Sequence, residues 1–191
     1  MRLFVAHDFP DVVRGALRDL IARLKPECRN AKWVRPEAMH VTLKFIGEVD
    51  AEALDPIRDA LAGVHSAQPV DMRFHGLGFF PNEQRPRVLW CGVEAPANLV
   101  ELAACVERAL VPLGIPAESR GFVPHLTLAR FRPDGGSRGN LEKLMRTAGD
   151  LKSYDFGGTR ETEFHLIESK LKPSGAEYRR LQTFPFVKGW A

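Results

Sequence analysis

The chain has 191 residues, 45% of them hydrophobic and 27% charged, enough for one globular domain or two small lobes around a shared core. Its 27 Lys and Arg against 24 Asp and Glu give a net charge of +3, which permits an anionic ligand but lacks the basic stripe of a dedicated nucleic-acid binder. Three cysteines without Cys-x-x-Cys spacing exclude a disulfide framework, and no apolar run has the length of a signal peptide or membrane span, so a reducing, cytoplasmic setting is expected.

Leu3 to Ala6 reads as a strand, followed by a helix opened by Pro10 with an apolar stripe at Val13, Leu17, Leu20 and Leu24 that Pro26 ends. A connector with Trp33 and Pro36 leads to a strand beginning His40-Val41-Thr42-Leu43 and closing at Gly47. A second amphipathic helix carries Leu54, Ile57, Leu61 and Val64, capped by Asp50 or by Asp55 with Pro56 at its first turn. Val70 to Leu77 and Arg87 to Val93 form a hairpin around the turn-rich segment Pro81 to Pro86. Pro96 opens a third helix, with Asn98 and Glu101 as a cap pair and a stripe at Leu99, Leu102, Val106 and Leu110, ended by Gly114. Next comes the strand His125-Leu126-Thr127-Leu128, then a glycine-rich loop from Asp134 to Gly139 and a short helix around Leu141, Leu144 and Met145. A hairpin turning at Gly157-Gly158 joins a strand from Leu151 to Phe156 with one from Thr159 to Ser169, and a last strand lies near Tyr178 to Phe186.

The order strand, Pro-started helix, connector, His-x-Thr strand occurs twice, with 37 residues from Leu3 to His40 and 36 from Leu89 to His125. Internal duplication explains this, and residues 1–191 are expected to form a single domain of two pseudo-symmetric interleaved lobes. The fold class is α+β, with mainly antiparallel sheets lining a central cleft and helices outside. Side chains at i and i+2 share a face of a strand, so His40 projects with Thr42 and His125 with Thr127. A duplicated fold brings equivalent strands together around its pseudo-twofold axis, placing both pairs at one site. Imidazole titrates near neutrality, so one ring can act as base and the other as acid, while the threonine hydroxyls hold phosphoryl oxygens.

Strict alternation also puts Lys44 on the face of His40 and Thr42, and puts Arg130 on the face opposite His125. Arg130 reaches the site only if its strand twists or bulges near Phe131. Arg120 stands just upstream, and Phe122, near the cleft mouth, either stacks on a base or packs in the core. His7, His65, His75 and His165 have no Thr at i+2 and read as surface or core residues; Trp33 and Trp90 read as core. No metal or cofactor is expected, because His-Glu-x-x-His and clustered Cys/His spacings are missing and the Gly135 to Gly139 stretch lacks the Gly-Lys-Ser/Thr ending of a phosphate-binding loop.

With both motifs located, the chain resembles the 2H phosphoesterase superfamily and, within it, the RNA 2′,3′-cyclic phosphodiesterases, historically called 2′-5′ RNA ligases. The resemblance is carried by Arg2-Leu3-Phe4-Val5-Ala6, His40 to Val49, Pro86 to Trp90, Phe122 to Arg130, Leu166 to Ser169 and Gly175 to Tyr178. It implies metal-independent opening of a 2′,3′-cyclic phosphate at RNA ends or nucleotides to a 2′-phosphate. His40 then resembles the acid that protonates O3′, His125 the base that activates water, and Thr42 and Thr127 the phosphate-holding hydroxyls. Arg130, Phe122 and Lys44 become substrate-binding candidates, and the enzyme is expected to be a monomer away from membranes. Val123 departs from the Arg often found there, and His7 from the usual apolar residue. Two alternatives stand beside hydrolysis: the reverse reaction, joining tRNA halves through a 2′-5′ linkage, and non-catalytic nucleotide or RNA binding.

Overall fold

Runs of apolar and β-branched residues pair off into two antiparallel sheets, and the amphipathic stretches between them coil into helices. The computed structural model describes residues 1–131, 138–172 and 175–186. In chain order the elements are β1 (Arg2–His7), α1 (Asp11–Leu24), β2 (Lys32–Trp33), β3 (Val41–Glu48), α2 (Leu54–Ala62), β4 (Val70–Phe80), β5 (Val88–Glu94), α3 (Ala97–Leu110), β6 (His125–Arg130), α4 (Arg138–Asp150), β7 (Asp155–Glu161), β8 (Glu163–Lys172) and β9 (Gly175–Pro185). One sheet has the order β3-β1-β8-β9 and the other β2-β6-β5-β4-β7. Among the described residues every strand pairing is antiparallel.

β1 is central to its sheet, and both of its faces are covered, which accounts for its unbroken apolar run. Leu3 and Val5 enter the main core, while Phe4 and Ala6 meet Ile167 on the other face. α1 buries Val13, Leu17, Leu20 and Leu24 as its spacing requires, together with Ile21. It lies against β7, α3 lies against β3, and α4 lies against β4. No helix among the described residues is long and apolar enough to cross a membrane.

One open choice is decided, in favour of a start at Asp50, and two local expectations are corrected. Helical structure begins directly after Asp50, as a 3₁₀ turn at Ala51–Ala53 that continues into α2, so Pro56 falls inside the first helical turn. Asn98 does not cap α3; its amide reaches back to the Pro69 carbonyl at 2.9 Å. Gly157 and Gly158 do not turn the chain. β7 runs straight through them, pairing Gly157 with Phe74 and Gly158 with Arg73. Gly157 adopts φ +104° beside a register shift, and a Cβ on Gly158 would stand 2.7 Å from the Met72 carbonyl oxygen. The change of direction falls instead between Glu161 and Glu163, where the chain crosses to the other sheet. The loop segment 134–137 and Trp190 lie outside the described residues.

Candidate active site

The two His-x-Thr strands belong to different sheets and come alongside each other, β3 as a sheet edge and β6 one strand in from an edge. Their pairing shares one irregularity. Ala6 pairs with Thr42 and Val5 with Lys44, leaving Leu43 without a partner in the ladder. Trp90 pairs with Thr127 and Leu89 with Ala129, leaving Leu128 likewise. One extra residue reverses which face every later side chain occupies. Both strands therefore switch faces directly after the threonine.

This switch decides the cation question. Lys44 turns inward, where its ammonium meets Glu107 Oε1 at 2.8 Å and donates to the Pro116 carbonyl at 2.7 Å, with its side chain 2% exposed. The expectation that Lys44 faces the substrate is thus corrected: the bulge at Leu43 spends its charge in the interior. Phe45 takes the vacated place, 53% exposed and facing the cleft. In β6 the same switch brings Arg130 onto the face of Thr127, through a bulge at Leu128 rather than near Phe131.

A cleft of about 760 Å³ lies between the strands and includes His40, Thr42, Thr127 and Arg130 in its lining. Arg2, Lys32 and Arg35 add positive charge, and among the described residues no Asp or Glu lines it, so it favours an anion. Phe4, Trp33, Phe45 and Tyr178 supply flat apolar surface. His125 is not in this lining; it is half-buried on β6, two residues before Thr127 on the same face. Phe122 is not in the lining either and packs partly buried against the core.

His125 Nδ1 donates to the Val123 carbonyl at 2.8 Å, since a carbonyl only accepts. That bond fixes the tautomer and leaves the Nε2 lone pair free to take a proton. The ring packs edge-on against Phe80 at 5.0 Å. Burial lowers the His125 pKa, the Val123 bond partly opposes this, and Arg130 lowers it further. His40 sits between the 3₁₀ turn Pro36–Ala38 and β3, edge-on to Phe4 at 5.6 Å and to Tyr178 at 5.2 Å. Burial lowers its pKa too, with Asp8 and the Ala38 backbone opposing and Arg14 and Arg180 adding to the drop. Among the described residues its buried Nδ1 finds no partner of good hydrogen-bond geometry.

The remaining histidines divide by exposure. His65 is exposed, and His75 lies 3.7 Å from Glu94. His7 and His165 are buried behind the site, and burial pushes each down to about 4. Trp33 lines the cleft with its indole N–H on the Cys28 carbonyl, and Trp90 is half-buried opposite Thr127. Sequence alternation missed Phe45 because it contains no signal for a bulge, and Tyr178 because only pairing across β8 sets its position.

A family model described as LigT like Phosphoesterase matches residues 8–90 and 92–178. The chain is 34% identical over 192 residues to an RNA 2′,3′-cyclic phosphodiesterase of Methanothermobacter thermautotrophicus, covering 96% of this chain and 98% of the relative. It is 36% identical over 184 residues to one of Archaeoglobus fulgidus, covering 96% and 99%. A Thermus thermophilus protein of solved structure is 32% identical with a TM-score of 0.79, covering 97% of this chain and 98% of that one. E. coli LigT complexed with 3′-AMP shares the fold at 24% identity and a TM-score of 0.77, each chain covered to 98%.

Proposed function

This chain belongs to the LigT-like phosphoesterase family, and on that premise we propose that it hydrolyses RNA 2′,3′-cyclic phosphate ends through His40 and His125. The observation that carries the reading is the meeting of two His-x-Thr strands, bulged alike, beside a cleft that, among the described residues, is lined by four cations and no carboxylate. The cyclic phosphate sits between Thr42 and Thr127, whose hydroxyls donate to its non-bridging oxygens, and Arg130 neutralises its charge. His125 Nε2 takes a proton from water as the water oxygen bonds to phosphorus. The P–O3′ bond breaks on the far side, and His40 gives its proton to O3′. The products are a 2′-phosphomonoester and a free 3′-hydroxyl, and the two imidazoles exchange protonation states until solvent resets them.

Phe45, Tyr178 and Trp33 offer faces for an unstacked terminal base. The enzyme acts as a monomer in the cytoplasm and needs no metal. Phosphorus NMR of an oligonucleotide ending in a 2′,3′-cyclic phosphate tests the chemistry. A single 2′-monoester product is expected. A 3′-monoester would mean that O2′ leaves and would reverse the geometry; no turnover with tight binding would make the site a binding module.

A further inference from the structure

Two matched His-x-Thr strands leave open which ring gives a proton and which takes one, but their surroundings differ. The ladder of β1 and β3 ends at His7 and Val41, and just beyond it Asp8 and His40 lie near enough for each to act electrostatically on the other. At the corresponding place His125 pairs with Gly92, where even a Cβ would stand 2.7 Å from the His75 carbonyl oxygen. One imidazole has a carboxylate close by beyond the end of its ladder, and the other pairs with a residue that has no side chain.

Asp8 is fixed from three sides. The Phe9 N–H donates to Oδ1 at 2.9 Å, Arg14 Nη2 donates to Oδ1 at 2.6 Å, and Arg180 Nη2 donates to Oδ2 at 2.9 Å. Arg14 also donates through Nη1 to the Pro36 carbonyl at 2.6 Å, in the 3₁₀ turn that delivers His40. Arg180 shares a face of β9 with Tyr178, whose ring packs on His40. The same cluster therefore sets the backbone leading to His40, one wall beside it and the charge close to it.

We propose that Asp8 is a positioning residue for His40: its carboxylate, clasped by Arg14 and Arg180, sets the place and the electrostatic surroundings of the imidazole that protonates the leaving group. The proposal rests on the reading of His40 as the acid. Burial alone would strip that proton, and Asp8 opposes the loss. Arg14 on α1 and Arg180 on β9 work against Asp8, while His165 on β8, pushed down to about 4 by burial, is neutral at working pH. Burial pushes the Asp8 pKa up, but the Phe9 N–H and Arg14 outweigh it and hold the carboxyl below its ordinary range. Glu161 on β7 also faces Asp8 and is raised, mainly by burial. Asp8 is thus a fixed charge across the range where His40 titrates. Among the described residues no carboxylate opposes the lowering of His125, which favours its neutral form, as a base requires.

Asp8→Asn tests this, since the amide keeps the size of the side chain and an oxygen for the Phe9 N–H. Ring-proton NMR should show the His40 midpoint moving to lower pH while that of His125 stays. The variant's kcat/KM should match wild type at acid pH and fall below it by a constant factor along the alkaline limb. Arg180→Gln should move the His40 midpoint the other way. An unmoved His40 midpoint in Asp8→Asn, or a loss uniform across pH, overturns the proposal. If Asp8→Asn does not fold, Arg180→Gln decides, and a midpoint that fails to rise overturns it. The NMR reads His40 directly, so this failure is distinct from failure of the two-histidine reading, which would appear as unchanged turnover in His40→Ala.

Discussion

Glu107→Ala probes the inward turn of Lys44, the point where alternation and structure part company. The Lys44 ammonium has two partners, Glu107 Oε1 at 2.8 Å and the Pro116 carbonyl at 2.7 Å, and its side chain is 2% exposed. Removing the carboxylate leaves a buried cation on one carbonyl, a change that costs 3–5 kcal/mol in typical buried pairs. Glu107 is 19% exposed, so water enters the gap and the low end applies, about 3 kcal/mol. For a chain of this size that lowers Tm by roughly 6–12 °C. Lys44→Met keeps the stem, removes the charge and leaves Glu107 within reach of solvent, so it should cost about 1 kcal/mol and restore most of the loss when added to Glu107→Ala. Thermal unfolding followed by circular dichroism gives the cycle, and initial rates per folded molecule complete it. Lys44→Met should turn over RNA cyclic phosphate as wild type does. A Lys44→Met protein with unchanged Tm and a rate down tenfold would put the ammonium in the cleft and refute the bulge.

Arg130→Gln should raise KM, through the lost phosphate partner, and should raise the His125 pKa, because Arg130 lowers it; the acid limb of kcat/KM then moves to higher pH. His7 and His165 are held neutral, so between pH 6.5 and about 4 the unfolded chain binds protons that the folded chain refuses. Stability is therefore present above pH 6.5 and falls as pH drops through that window, by up to roughly 3 kcal/mol for each ring. Urea midpoints at neutral pH and at pH ~5 read this loss, which should shrink in His165→Gln. Chelation with EDTA should leave the rate unchanged, since the imidazoles and hydroxyls carry the proposed chemistry; a loss restored by added divalent cation would contradict that.

How far the sequence reached depended on whether local pattern or tertiary pairing set each feature. The stripe on α1, the hairpin of β4 and β5 and the twin His-x-Thr strands follow from periods of 3.6 and 2, which side chains impose locally. Lys44, Phe45 and Arg130 depend on a bulge, and a bulge exists only relative to the partner strand, so alternation misplaced the two cations and could not see the phenylalanine. The pair at Gly157 and Gly158 read as a turn because glycine signals a turn, a positive φ and a close backbone approach alike; here Gly157 supplies the positive φ and Gly158 makes room for the Met72 carbonyl. Asp8 carried no signal by itself, being one of many exposed-looking acids until Arg14 and Arg180 close on it from elements distant in sequence.

In the proposed mechanism His40 and His125 act on one phosphorus atom as acid and base. Single-turnover rates of His40→Ala and His125→Ala across pH, on an RNA ending in a 2′,3′-cyclic phosphate, test it most directly. Each variant should lose about 10²- to 10⁴-fold, the wild-type bell should lose one limb in each, and the double variant should be little worse than either single one. A His125→Ala enzyme with near-wild-type rate and an intact bell would contradict the account.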